Sequence, residues 1–267
     1  MTSTSTIFER ARAEDRAALI GYLPVGYPSV EGSIRAMRAM VEAGCDAIEI
    51  GLPYSDPVMD GPTIQAAAQA ALDGGVRTAD VMRAVEEVAA TGAPTLVMTY
   101  WNPVERYGVE RFATDLAEAG GAGLITPDIT PDHGSEWIAA ADAHGLDKVF
   151  LVAPSSTDER VAMTAHESRG FVYAAAVMGV TGARDATSGL AGPLVDRVRA
   201  SGDVPVAVGI GVSTGDQAAE VARFADGVIV GSAFVRCLLD HEGDEAAGLD
   251  ALRSLTADLA EGVRRAR

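Results

Sequence analysis

Short apolar runs alternate with amphipathic stretches along almost the whole chain. The apolar runs are rich in Val, Ile and Leu and are nearly continuous, which is typical of parallel strands covered on both faces. Helical stretches, for example 33–44 and 78–92, separate these runs. The pattern therefore predicts eight strands, at 17–25, 46–51, 94–100, 122–126, 148–153, 171–177, 205–211 and 226–231.

Glycines mark the ends of the predicted helices. Glycine adopts the left-handed conformation that commonly ends a helix. Eight strand–helix units in about 250 residues predict an α/β fold, a single-domain (β/α)8 barrel over residues 1–267, with a doubly wound open sheet as the alternative. The stretch 7–15 predicts an extra helix closing the N-terminal face of the barrel, and 245–267 predicts a final outer helix. The glycines that mark the ends of predicted helices are Gly44, Gly92, Gly120, Gly145, Gly170 and Gly202.

Charge and composition narrow the possible functions. Asp and Glu number 38 against 21 Lys and Arg, which gives a net charge of −17. Binding to nucleic acid or to an anionic membrane needs clustered cations, so both classes are disfavoured. Two cysteines cannot form a disulfide framework, and the sequence predicts neither a targeting signal nor a membrane span. We expect a globular cytoplasmic protein.

The first candidate chemical group is a pair of carboxylates between residues 45 and 67. In the strand 46–51, Glu49 lies on the face opposite Ile48 and Ile50, so it points to the barrel axis if the isoleucines pack against helices. A carboxyl group partly removed from water holds its proton more tightly, which suits a general acid/base. Asp60 ends the proline-stiffened loop that follows. Residue type alone leaves open an interior ion pair for Glu49 and a helix cap for Asp60.

The second candidate is a phosphate site after strands six, seven and eight. Gly182, Gly211, Gly231 and Ser232 follow these strands, where barrels bind phosphate through backbone N–H groups and a helix N-terminus. Ser232 is also expected to cap a short helix. Each glycine alone is equally consistent with a tight turn, but three together favour a phosphate site. The segment 181–192 predicts a mobile lid, or else an exposed loop.

Aromatic residues stand near the ends of three predicted strands. Tyr22, Tyr100 and Tyr173 either line a pocket for an aromatic ligand or fill the barrel mouth. The four histidines show no helical pairing with another ligand, so no metal site is expected.

Several segments resemble a known enzyme family. The run GLPYSDPVMDGPTIQ (51–65) closely resembles a signature of the tryptophan synthase alpha chain family. The family's fold, a (β/α)8 barrel, agrees with the strand pattern. The resemblance implies reversible retro-aldol cleavage of indole-3-glycerol phosphate to indole and D-glyceraldehyde 3-phosphate in tryptophan biosynthesis, without a cofactor. Further matching segments lie in order at 21–29, 98–103, 124–132, 151–160, 177–184, 205–214 and 225–235.

The resemblance also implies roles for individual residues. Glu49 matches the family's acid/base, and Asp60 matches the carboxylate that binds the indole N–H. The implied partner is the family's beta chain in an αββα tetramer, with loops 52–60 and 181–191 as candidate contacts. The beta chain's pyridoxal phosphate belongs to that partner. By the same matching, Gly182, Gly211, Gly231 and Ser232 bind phosphate, Tyr173 and Thr181 are active-site residues, and Tyr22, Tyr100 and Asp128 surround the indole pocket and interface loops.

Three other functions stay open from sequence. One is a stand-alone lyase that releases free indole. The second is a non-catalytic regulatory subunit of a beta chain, which the presence of both Glu49 and Asp60 disfavours. The third is another phosphate-sugar barrel, an isomerase or cyclase, which the loop DPVMDGPTIQ (56–65) disfavours.

Overall fold

A closed ring of parallel strands forms the centre of the protein. The computed structural model describes residues 3–176 and 184–265. Every strand pairs in parallel with the next one along the chain, and the eighth pairs with the first. The predicted (β/α)8 barrel is therefore confirmed, and the open sheet is wrong. The strands are β1 (Ala18–Pro24), β2 (Ala47–Gly51), β3 (Thr95–Met98), β4 (Gly123–Thr126), β5 (Asp147–Val152), β6 (Val172–Ala175), β7 (Val206–Gly209) and β8 (Gly227–Val230).

Helices surround this ring, and the described residues form twelve of them. None of the helices in the described ranges has the length and apolar character needed to cross a membrane. The helices are α1 (Ser5–Ala13), α2 (Val30–Ala43), α3 (Pro62–Asp73), α4 (Thr78–Ala89), α5 (Trp101–Tyr107), α6 (Val109–Glu118), α7 (Ser135–His144), α8 (Asp158–Glu167), α9 (Arg184–Arg199), α10 (Gly215–Ala222), α11 (Ser232–Leu239) and α12 (Glu245–Arg264).

The strands bury apolar side chains on both faces. Ile48 and Ile50 of β2 belong to the layer packed between strands and helices, whereas Ala47 belongs to the layer inside the barrel. Because side chains alternate along a strand, Glu49 shares the face of Ala47. The expectation that Glu49 points to the barrel axis is thus met.

Helix α1 closes the N-terminal end of the barrel. Ile7, Phe8 and Ala11 are buried in the inner apolar layer, and the ring centroid of Phe8 lies 5.5 Å from that of Phe171. At the other end of the chain, α12 packs on the outside against α2, α10 and α11. Both predicted extra helices are confirmed.

Two expectations about the chain between strands are wrong. Gly202 does not adopt a positive φ, unlike the other five predicted helix-ending glycines, because α9 ends in a hydrogen-bonded turn in which the Gly202 N–H donates to Arg199 O at 3.4 Å. From Arg184 onward the predicted loop 181–192 is helical. Buried Ala191, Leu194 and Val195 give that helix an apolar face despite its glycines and Pro193.

Candidate active site

Glu49 lies at the centre of the barrel mouth and has no charged partner. It is fully buried in the middle of β2, and neither of its carboxyl oxygens has a hydrogen-bond partner among the described residues. Burial raises the pKa of Glu49 to about 8. This is the chemical state predicted for an acid/base, and the alternative of an interior ion pair is wrong.

Asp60 stands at the end of the loop after β2, next to the first residues of α3. The hydroxyl of Tyr100 donates a hydrogen bond of 3.1 Å to Asp60 Oδ1, and it accepts one of 2.9 Å from the Met59 N–H. Burial raises the pKa of Asp60, and the Tyr100 hydrogen bond opposes this effect. The residue that caps α3 is Gly61, without a side-chain hydrogen bond, so the helix-cap alternative for Asp60 is wrong.

Two further tyrosines line the same mouth beside glycines. Tyr22 of β1 is in register with Glu49, and its hydroxyl occupies the space where a Cβ on Gly51 would stand. The hydroxyl of Tyr173 likewise fills the space above Gly209. Burial, followed by the charges of Glu49 and Asp60, raises the pKa of Tyr173. The structure therefore brings the two predicted carboxylates and the three predicted tyrosines close together, since Tyr100 hydrogen-bonds to Asp60 and the charges of both carboxylates act on Tyr22 and Tyr173.

The N-terminus of α11 follows β8, which pairs with β1 and therefore lies two strands from Glu49 on β2. Gly231 is the residue that precedes the helix, and it has no side-chain cap. The expectation that Ser232 caps this helix is wrong, because Ser232 is already its first residue. Within the described ranges, no group accepts a hydrogen bond from the N–H of Ser232 or of Ala233. These donors are free to bind an anion.

Gly211 follows β7 on the neighbouring side of the mouth. Its φ of +76° lies in the left-handed region that favours glycine, and a Cβ there would contact nothing within 4 Å. The glycine is therefore required by its backbone conformation and leaves the surface open. The two remaining predicted residues, Thr181 and Gly182, lie outside the described residues.

Comparisons with known proteins place this chain in a family. A family model described as tryptophan synthase alpha chain matches residues 8–264. The Salinispora arenicola tryptophan synthase alpha chain is 64% identical over 99% of this chain and 98% of its own length. The corresponding protein of Mycobacterium marinum is 62% identical over 97% and 93%.

Solved structures agree with this result. A tryptophan synthase structure from Mycobacterium tuberculosis has a TM-score of 0.91 at 57% identity, with 99% of each chain covered. A tryptophan synthase alpha subunit from Legionella pneumophila has a TM-score of 0.90 at 29% identity, again covering 99% of each chain.

The chain belongs to the tryptophan synthase alpha chain family. It is a lyase of tryptophan biosynthesis that cleaves indole-3-glycerol phosphate to indole and D-glyceraldehyde 3-phosphate, as the resemblance implied. The isomerase and cyclase alternatives are therefore wrong.

Sequence reasoning missed three residues that contact the candidate site. Gly51 and Gly209 make room for the tyrosine hydroxyls, and Tyr54 packs its ring 5.5 Å from that of Tyr100. The position of the two glycines at strand ends was a usable signal, since a glycine inside a strand often marks a close approach. No such signal marked Tyr54, because its contact is formed by the fold of the loop.

The acidic side chains near the site do not form a metal centre within the described residues. Over residues 3–176 and 184–265, no group of three or more His, Cys, Asp or Glu side chains is arranged to hold a metal ion.

Proposed function

We propose that Glu49 transfers the protons of the cleavage reaction and that Asp60 stabilises the charge that develops on the indole ring. The observation that carries this proposal is the buried, unpartnered carboxyl group of Glu49 at the barrel mouth. Its pKa of about 8 keeps it mainly protonated at neutral pH, so it begins the reaction as an acid.

The proton and electron movements follow from the bond that breaks. Glu49 gives its proton to indole C3, which places a positive charge on the ring nitrogen. The bond between indole C3 and glycerol C3′ then breaks, and its electron pair restores the ring double bond. The C3′ hydroxyl becomes the aldehyde as its proton returns to Glu49. One carboxyl group therefore acts first as acid and then as base.

Asp60 is placed to act on the ring nitrogen. The Tyr100 hydrogen bond orients its carboxyl group, and Oδ2 has no hydrogen bond to any described residue. A carboxylate that accepts the indole N–H becomes more favourable as that nitrogen gains charge, which stabilises the transition state more than the ground state. Two carboxyl groups in different environments thus divide the work.

In this proposal the phosphate of the substrate binds at the start of α11. Free N–H groups at the start of α11 supply donors without a positive side chain, as suits a chain with a net charge of −17. Gly211 leaves its side of the mouth open for the same group. From the sequence alone, we include Gly182 in this role and keep Thr181 as an active-site residue of the segment after β6.

The decisive experiment replaces each carboxyl group by its amide of the same shape. Glu49→Gln should lower kcat for indole release by about a thousandfold or more, because proton transfer is lost. Asp60→Asn should lower kcat by about a hundredfold, since charge is lost at a site of developing charge. Steady-state assays with purified protein and indole-3-glycerol phosphate measure both.

The control is binding of a substrate analogue that cannot react. Indole-3-propanol phosphate, in which both hydroxyls of the glycerol chain are replaced by hydrogen, should bind Glu49→Gln with unchanged affinity. A near-normal kcat for this variant would refute the role of Glu49. A lost affinity for the analogue would show instead that the variant has a damaged site.

Alpha chains of this family normally pair with a beta chain. We propose an αββα assembly whose contact includes the loop 52–60. The side chain of Val58 is 79% exposed and Met59 is 42% exposed, which is unusual for large apolar residues in one loop. Beside them lies a cleft of about 430 Å³ lined by Tyr54, Asp56 and Asn102.

A charge placed in this loop tests the contact. Val58→Asp should weaken binding of a tryptophan synthase beta chain by about tenfold or more, because an apolar contact becomes an unpaired buried charge. The matched control is Met163→Asp on α8, where an apolar side chain is 37% exposed away from the mouth. Equal affinity of both variants, measured by isothermal titration, would exclude the loop from the contact.

Indole-release assays with and without a beta chain separate a stand-alone lyase from a subunit that acts together with the beta chain. Indole release by the isolated chain at a rate that the beta chain leaves unchanged would favour a stand-alone lyase. The cytoplasmic location also stays a prediction, with which the two free cysteines are consistent.

A further inference from the structure

Tyr22 lies on β1, between β8 and β2, and so between the two ends of the proposed substrate site. Its Cδ1 would lie 3.3 Å from a Cβ placed on Gly231, next to the free N–H groups of α11. Its hydroxyl lies over Gly51, two residues beyond Glu49 on the same face of β2. The ring thus spans the distance from the phosphate end to the acid/base.

The hydroxyl of Tyr22 has no hydrogen-bond partner among the described residues. Tyr100 in the same mouth hydrogen-bonds to Met59 and Asp60, whereas the Tyr22 hydroxyl meets no hydrogen-bonding group in the described ranges. Burial, and then the charges of Asp60 and Glu49, raise the pKa of Tyr22 well above its ordinary value. The phenol therefore stays protonated at neutral pH and offers a donor to the cavity.

The substrate has a segment that must occupy this part of the cavity. If the phosphate binds at the start of α11 and indole C3 lies against Glu49, the glycerol carbons between them pass the Tyr22 ring. These carbons carry hydroxyl groups, which lose their hydrogen bonds to water on entering the mouth. A buried polar group of this kind needs a new partner.

We infer that the Tyr22 hydroxyl hydrogen-bonds to a hydroxyl of the glycerol chain and so makes the site selective for a polyol linker. This inference rests on the proposed function. It assigns to Tyr22 a role beyond that of an aromatic wall for the indole ring, since a phenylalanine would serve as such a wall equally well. Tyr22 is thus a substrate-binding residue and takes no proton.

The test is Tyr22→Phe, which removes only the hydroxyl. It should lower kcat/KM for indole-3-glycerol phosphate by about tenfold, the usual worth of one neutral hydrogen bond. Its dissociation constant for indole-3-propanol phosphate should change by less than about twofold, because that ligand has no glycerol hydroxyl to lose a bond.

The matched control is Tyr27→Phe. Tyr27 follows β1 and has a buried hydroxyl without a partner among the described residues, but it lies outside the mouth. Its variant should keep both constants, which separates the loss of a contact from the general effect of removing a buried phenol oxygen.

The results of these assays distinguish failure of the Tyr22 inference from failure of the proposed function. An unchanged kcat/KM in Tyr22→Phe overturns the inference, and so does an equal loss for the substrate and the analogue, which would place the hydroxyl on the phosphate or the indole. If the unmodified protein and Tyr27→Phe both fail to cleave the substrate, the proposed function has failed instead.

Discussion

Two buried carboxyl groups, one just before strand β2 and one in its middle, have opposite acid–base properties. Asp46 precedes the strand at the N-terminal face and is 6% exposed, while Glu49 is 0% exposed and faces the mouth. They are three positions apart along an extended chain, which corresponds to about 10 Å. Their burial is similar, so burial alone does not explain why one is charged and the other holds its proton.

The difference comes from hydrogen-bond partners. Asp46 accepts bonds from Arg16 at 2.7 and 2.8 Å, from Arg10 at 2.8 Å and from the Leu19 N–H at 2.9 Å. Burial would raise the pKa of Asp46, but the bonds from Arg16 and Leu19 outweigh it and lower the pKa. Glu49 has no such partner, and its pKa rises. A buried acid becomes reactive where the fold withholds a partner.

The N-terminal face repeats this arrangement at β5. Asp147 is fully buried and accepts bonds of 2.7 Å from both the N–H and the hydroxyl of Thr4, so it fixes the chain that leads into α1. Satisfied acids thus hold the closed end of the barrel together. The open end contains the acids that remain available for chemistry. This agrees with the general rule that barrels have their active sites at the C-terminal ends of the strands and stabilising residues at the N-terminal ends.

Removing the buried partner of Asp46 should have the larger effect on stability. Arg16→Met should lower the free energy of unfolding by about 3 kcal/mol, because it leaves a buried carboxylate poorly paired. Urea denaturation at pH 7 measures this. At a temperature where the variant is folded, kcat should not change, since Arg16 lies at the far end of the barrel.

Arg10 provides the matched control at the same carboxyl group. It binds Asp46 Oδ1 but its side chain is 55% exposed, so Arg10→Met should lower the free energy of unfolding by less than about 1 kcal/mol. Equal losses in the two variants would mean that burial of the partner does not matter. A fall in kcat for Arg16→Met would mean that the two ends are coupled.

Much of this arrangement was predictable from the sequence. The apolar runs located every strand to within two residues, since parallel strands covered on both faces are apolar without interruption. The alternation of side chains in β2 also gave the direction of Glu49, because its neighbours Ile48 and Ile50 fixed the other face. Local periodicity carries this information directly.

Contacts between distant segments were not predictable in the same way. Asp60 precedes a helix and looked equally like its cap, but Gly61 is the residue that caps α3, and the carboxyl group of Asp60 instead accepts a hydrogen bond from the hydroxyl of Tyr100, 40 residues later. Ser232 looked like a cap because the helix start differs from expectation by one residue, which local propensity does not resolve. The hydroxyl of Tyr22 over Gly51 depends on the register of two strands.

The unpartnered state of Glu49 also predicts how stability depends on pH. With a pKa of about 8 in the folded protein and an ordinary value of 4.5 when unfolded, the folded state binds more protons between these limits. Stability from this group is therefore present below pH 4.5 and is lost as pH rises towards 8. Relative to Glu49→Gln, the unmodified protein should lose about 3 kcal/mol of unfolding free energy between pH 5 and pH 8.

Urea denaturation of both proteins across this range gives the difference directly, since the titration of every other group is common to the two. Asp46 sharpens the comparison, because its lowered pKa predicts the opposite sign: stability present above the unfolded value and lost only in acid. A difference between the unmodified protein and Glu49→Gln that stays constant with pH would mean that Glu49 has found a partner. The mouth would then resemble the closed end, and the proton for indole C3 would have to come from another group.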